Sequence, residues 1–263
     1  MTETPQRRDG PGIRDHGDGR VTLGGIMPAL CRAVDRRLRV AASREGAREL
    51  RCPALIERAV LHRAGYFEAF PHGPTEIRDS EYSLQPAACY QCYAELAGTC
   101  VDRTVLTVCG RCYRRSEDTF AGATRLWEFT MREVVLLGAA DWIRAERAAW
   151  IDRVSDIARE IDLEVSVSVA TDPFFGPSGR GRRVLQQLKE LKHEIRAVID
   201  GEDVALASVN LHETFFANRF DLQDAAGERA HTACVAFGLE RWAAAIVAQR
   251  GEAAAAALAG RDL

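Results

Sequence analysis

Lysine is almost absent. Lys189 and Lys192 are the only two among 35 basic residues, and arginine supplies the rest. A guanidinium is always charged and forks onto phosphate or carboxylate, so each arginine needs its context before it carries meaning. Net positive charge is also lacking: the formal value is -3 at pH 7, which removes the general reason to expect nucleic-acid binding. No apolar run approaches the roughly 18 residues of a membrane span. The first twenty residues hold no apolar core of a secretory signal. These absences predict a cytoplasmic protein with no membrane partner. A glycine-rich phosphate loop of the Walker or Rossmann kind is missing too, and no internal repeat is found.

What is present is an ordinary core: 47% of the 263 residues are hydrophobic, enough for one large or two small domains. Residues 1–20 carry glycine, proline and mixed charge without periodicity, and read as a disordered tail ahead of a catalytic unit at 21–263. Pro28 fits a first helical turn, and Leu30, Val34 and Leu38 share one face of a helix read as running to Leu50. Thr104–Val108 and Arg125–Met131 read as a long antiparallel hairpin. Residues 133–161 read as a helix, 163–170 as a half-buried strand, and 181–199 as a helix. Strands follow at 204–211 and 231–237, then an alanine-rich helix from Gly238. Hairpin-linked strands with irregularly interspersed helices predict an α+β fold on an antiparallel sheet.

Eight cysteines draw attention. In a reducing compartment, thiols point to metal or burial rather than disulfides. Cys89-X-X-Cys92 and Cys109-X-X-Cys112, sixteen residues apart, have the spacing of a structural zinc ribbon. A non-catalytic zinc-ribbon binding protein is therefore one alternative. Against it, Cys109 and Cys112 lie in a run that reads as a strand, and an odd offset turns their thiols to opposite faces.

Three segments then resemble, in order, the three motifs of class II aminoacyl-tRNA synthetases. The helix from Pro28 with Arg51-Cys52-Pro53 resembles motif 1. Cys112-Tyr-Arg-Arg-Ser-Glu117, a loop, and Arg125-Leu-Trp-Glu-Phe-Thr-Met-Arg-Glu133 resemble motif 2. Phe237-Gly-Leu-Glu-Arg241 resembles motif 3. Further agreement at Leu84–Cys89, Thr171–Phe175, Lys192–Glu194, Ser208–His212 and His231–Cys234 extends the likeness over nearly the whole chain from residue 22. It is most similar to the amino acid:carrier protein ligases, relatives of the catalytic core of atypical, zinc-dependent seryl-tRNA synthetase.

That resemblance implies ATP-dependent activation of a small amino acid, glycine or alanine, and its transfer to the phosphopantetheine thiol of a carrier protein. It puts Arg115 on the α-phosphate and Glu117 at the adenine amino group. Phe129 and Arg241 take the two faces of adenine, with Arg125 also at the nucleotide. It implies zinc on Cys89, Glu133 and Cys234, with one open position for the substrate amine, and magnesium with the phosphates. The family's usual magnesium acid falls at Val204, and period-2 geometry turns Asp203 to the opposite face. Lys192, Ser208, Asn210 and His231 are expected near the amino acid. Arg180, Arg182 and Arg183, on a helix spanning 176–200, offer a basic face to an acidic carrier protein. Motif 1 predicts a homodimer. The short polar stretch before the first helix and the acidic charge argue against tRNA as acceptor, although a ligase of the same fold using tRNA or a small molecule is a further alternative.

Overall fold

The computed structural model describes residues 12–115, 122–172, 184 and 186–260 of the chain. Glu117, Arg180, Arg182 and Arg183 lie outside the described residues.

The chain opens with a hairpin of β1 (Ile13–Asp15) and β2 (Val21–Leu23), followed by α1 (Met27–Arg44) and β3 (Arg48–Leu50). Residues 12–20 are thus not a tail: Ile13 and Leu23 pack against the main core. Pro28 sits in the first turn of α1, and Leu30, Val34, Leu38 and Ala42 form its buried stripe. This helix stops short of Leu50 because Gly46 takes a left-handed φ of 74° and its N–H bonds back to Ser43 O at 3.0 Å.

A small three-stranded sheet follows, from β4 (Leu55–Glu57), β5 (Thr75–Glu76) and β6 (Tyr82–Leu84), in the order β4-β6-β5. Short helices α2 (Arg58–Arg63), α3 (Tyr66–Ala69) and α4 (Cys89–Glu95) accompany it. The long hairpin is present as β7 (Thr104–Tyr113) and β8 (Glu128–Gly138), paired antiparallel from Thr104↔Leu137 to Tyr113↔Glu128. Strand β8 runs to Gly138, seven residues beyond the expected end at Met131, so Glu133 is mid-strand and α5 begins only at Ala140 (Ala140–Glu160). Val134-Val135-Leu136-Leu137 is covered on both faces, which erases the alternation that marks a strand.

Next come β9 (Ser166–Val169), β10 (Lys192–Ile199), β11 (Glu202–Glu213), α6 (Phe215–Phe220), β12 (His231–Gly238) and α7 (Leu239–Gly260). Strand β9 is an exposed edge rather than half-buried. Residues 192–199, expected within a carrier-binding helix, are instead β10 of the main sheet. That sheet has the order β3-β7-β8-β12-β11-β10-β9, all antiparallel except the β3–β7 edge pair. Helices α1, α5 and α7 cover one face with a hydrocarbon core that includes Leu30, Trp150, Val154, Phe237 and Trp242. The other face, under α4 and α6, is the one that gathers chemistry.

Candidate active site

Period-2 geometry sorts the central strands into two sets. On β8, Val134 and Leu136 enter the helix-side core, while Met131 and Val135 enter the other, and Glu133 shares their parity. Cα pairing then aligns two rows on that second face. One runs Glu133–Ala236–Ser208–Glu194, and the other Val135–Cys234–Asn210–Lys192. Cys89, at the start of α4, closes over them from outside the sheet.

Cys89, Glu133 and Cys234 are all buried, and their ligating atoms lie within 4.8 Å of one another. They form the only such group among the described residues. Glu133 Oε1 accepts N–H bonds from Ala88 at 2.7 Å and Cys89 at 3.4 Å, which fixes α4 against β8. Burial, followed by the charge of Cys234, pushes Glu133 up to about 7. A hydrogen bond from Cys89, together with His212 and Asn210, holds Cys234 well below the ordinary thiol range, and the same pairing raises Cys89. By contrast, burial pushes up Cys31, Cys52, Cys92, Cys109 and Cys112. Two thiols and a carboxylate on one buried face form a donor set that suits zinc.

The zinc-ribbon alternative is not built. Cys109 packs towards the helix-side core, whereas Cys112 enters the opposite cluster with Cys89 and Cys92. The odd offset along β7 is the reason.

His212, absent from the expected substrate set, touches the metal group directly: its Nε2 lies 3.6 Å from Cys234 Sγ. The hydroxyls of Tyr93 and Thr232 both reach His212 Nδ1 at 3.3 Å. They favour the tautomer with hydrogen on Nε2, aimed at the sulfur. Asn210 Nδ2 donates to the same sulfur at 3.4 Å and to Ser208 Oγ at 3.0 Å. Phe216 closes this side, stacked on Tyr93 with ring centroids 4.3 Å apart. His231 does not join. It shares the parity of Ala233 and Val235, which enter the helix-side core, so it lies opposite Cys234. His212 follows Ser208 and Asn210 by twos along β11, which turns it to the same face, and the strand becomes irregular only between Leu211 and Glu213.

Lys192 lies on the site face, with its Nζ 2.6 Å from Asp172 Oδ1 and 3.2 Å from Glu194 Oε1. Gln186 Nε2 donates to the other Asp172 oxygen at 2.8 Å. Sequence reasoning missed both acids, although Lys192-His-Glu194 has the i, i+2 spacing of one strand face. Asp203 also differs from expectation. At a bulge opposite Ile195/Arg196, Leu206 and Ala207 both enter the core, as does Val204. Asp203 therefore faces the site side, where its Oδ2 accepts Arg196 Nε at 2.8 Å.

Arginines converge beyond Glu194. Arg241, in the first turn of α7, donates from Nε to Thr124 O and from Nη1 to Ala205 O, both at 2.8 Å. Burial, then the charges of Arg114 and Arg125, lower it to about 10. Arg115 is exposed, with its guanidinium 6.0 Å from the Trp127 ring. The half-buried Phe129 ring carries the Arg114 guanidinium at 5.4 Å, a residue the motif reading passed over for its neighbour. Glu240 accepts Thr130 N on both oxygens at 2.9 Å, tying the start of α7 to β8.

No family model matches the chain. Two proteins of Bradyrhizobium diazoefficiens, named amino acid–acyl-carrier-protein ligases 2 and 1, do resemble it. The first is 35% identical over 252 residues, covering 81% of this chain and 73% of that protein. The second is 33% identical over 238 residues, covering 78% and 72%. Among solved structures, a seryl-tRNA synthetase of M. kandleri superposes with a TM-score of 0.78 at 22% identity, over 91% of this chain and 55% of its own. One from Pyrococcus horikoshii, complexed with ATP, gives 0.75 at 17% identity, over 90% and 55%. The chain spans about half the length of these two synthetases, and at such identities they establish the fold alone. With the α+β sheet and its buried Cys/Glu/Cys group in place, the chain belongs to the amino acid–acyl-carrier-protein ligases, enzymes built on the class II aminoacyl-tRNA synthetase catalytic fold.

Proposed function

We propose that this enzyme activates glycine or alanine with ATP and passes it to the phosphopantetheine thiol of a carrier protein. The observation that carries the reading is the convergence of Cys89, Glu133 and Cys234 on one face, beside a cluster of arginines. Zinc on those three residues would supply an open position that accepts an unprotonated amine. Lys192, Ser208 and Asn210 line the same two rows and orient the amino acid. The stacked Tyr93 and Phe216 rings back the metal group, which supports a small side chain.

Activation is attack of the amino acid's carboxylate oxygen on the α-phosphorus of ATP, with pyrophosphate leaving. Negative charge builds on the phosphate, and Arg115 meets it, with Arg125 also at the nucleotide. Glu117, Phe129 and Arg241 take the adenine. Magnesium travels with the phosphates rather than in a protein cage, because Glu194 and Asp203 are already ion-paired with Lys192 and Arg196. The carrier thiol then attacks the adenylate carbonyl, AMP leaves, and a thioester forms. Arg180, Arg182 and Arg183 dock the acidic carrier. Lys189 does not serve, being paired with Glu213 at 2.9 Å. A homodimer through α1 and a cytoplasmic setting complete the reading; no described helix is long and apolar enough to cross a membrane.

A tRNA acceptor is the second reading. It is favoured by likeness to the type-2 serine–tRNA ligase of Methanocaldococcus jannaschii, 27% identical over 86% of this chain and 51% of that protein. The test is ATP–pyrophosphate exchange with zinc-loaded enzyme over all twenty amino acids, followed by transfer to a phosphopantetheinylated carrier or to tRNA. Exchange with glycine or alanine and loading of the carrier alone are expected. No exchange with any amino acid overturns the reading, and charging of tRNA overturns its acceptor half.

A further inference from the structure

The β1–β2 hairpin does more than fill space. Asp15, at the end of β1, is 4% exposed despite its charge. Its Oδ1 accepts Gly17 N at 2.7 Å, and its Oδ2 accepts Gly122 N at 3.2 Å. The latter bond crosses 107 residues of sequence to the segment that leads into β8. In the hairpin turn, Gly19 takes a φ of 83°, and its carbonyl accepts Trp127 N at 2.8 Å. Between these two anchors, Thr124 O receives Arg241 Nε at 2.8 Å. The span 122–127 is therefore held at three points, by Asp15, by Arg241 and by the turn carbonyl, and it carries Arg125 between them. Its last residue passes the constraint on, since Trp127 O accepts Arg114 N at 2.9 Å and its indole N–H donates to Thr75 Oγ1 at 3.2 Å.

We infer that Asp15 is a positioning residue for the nucleotide subsite: it fixes the 122–127 span through the Gly122 amide, and that span sets the placement of Arg125 and Arg241. This rests on the ATP reading above. A carboxylate suits the task because it offers acceptors to two backbone donors at once, and the bonds are charge-assisted. Removing it leaves both N–H groups without their acceptor in a nearly closed space. Neither of these two bonds reaches the metal group or the rows around it, so their loss falls on one substrate only.

The test uses zinc-loaded full-length enzyme with Asp15→Ala and Asp15→Asn. In pyrophosphate exchange, Asp15→Ala is expected to raise KM for ATP about tenfold, the scale of one charge-assisted bond. KM for the amino acid and the zinc content stay at wild-type values. Asp15→Asn keeps one acceptor oxygen and recovers part of the loss. Amide hydrogen exchange supplies a readout independent of turnover: Gly122 and Trp127 lose protection in Asp15→Ala. An unchanged KM for ATP, an equal rise in both KM values, or undiminished protection of Gly122 overturns the inference. A wild-type enzyme that shows no ATP-dependent exchange would instead refute the nucleotide reading, while the Gly122 amide still judges the hairpin.

Discussion

The two faces of the seven-stranded sheet hold arginines in opposite electrical settings. On the helix side, Arg132 is 2% exposed. It forks onto Asp35 at 2.7 and 2.9 Å and meets Glu49 at 2.9 Å. Its charge is answered within the protein, and those partners raise its pKa. Beyond the other face, Arg241 donates, among the described residues, to two carbonyls, and burial, then neighbouring arginines, lower it to about 10. One guanidinium is a finished structural joint; the other stands in a positive field that an anion would relieve. The metal group repeats the lesson. Val134 and Leu136 of β8 serve the core, while Glu133, next to Val134 on the other face, is an expensive buried carboxylate. Alternation along one strand separates what stabilises the sheet from what the site needs.

The largest expected effect comes from removing a member of the metal group. Cys89→Ser or Cys234→Ser should abolish zinc binding and pyrophosphate exchange, whereas Cys92→Ser and Cys109→Ser keep the metal; elemental analysis of purified protein decides. Next, Arg241→Ala should lower exchange by roughly 10²–10³-fold without unfolding the protein, and Arg241→Lys should not restore it, because a point charge cannot fork. If Arg241→Ala instead lost only stability, the contrast with Arg132 would collapse. Conversely, Arg132→Ala should cost about 3 kcal/mol of stability in denaturant melts, by leaving Asp35 and Glu49 unanswered, with activity per folded molecule kept.

The smallest effect concerns pH. Glu133 of the metal-free chain titrates at about 7 against an ordinary value of 4.5. Between those values the folded chain holds a proton that the unfolded chain has lost. Metal-free stability should therefore fall as pH rises from about 4.5 to about 7. Zinc uptake at about pH 6 should release more protons than at about pH 8, as calorimetry in buffers of different ionisation enthalpy would register.

Much of this organisation was legible before any coordinates. The motif order pointed to the fold, and parity along β7 already separated Cys109 from Cys112. What escaped has physical causes. The apolar run in β8 is buried on both faces, so it carries no period to read. A bulge in β11 at Leu206 resets parity locally, bringing Asp203 to the site side against a count by twos. Parity along β12 sends His231 away from Cys234. The hairpin at 12–23 has strands of three residues around a glycine turn, too short for alternation to register, and only its long-range bonds reveal it as part of the fold.

The order of strands has a consequence for how the protein comes into being. Strand β12, the last described in the chain, lies in the middle of the sheet, between β8 and β11. As the chain is made, the β7–β8 hairpin and the β9–β10–β11 meander exist as two half-sheets, each with an unpaired edge awaiting the same partner. Such edges are the surfaces through which sheets join the wrong neighbour. Pairings this distant in sequence close slowly. One late insertion joins the halves and delivers Cys234 between them, so an incomplete chain cannot form the metal group.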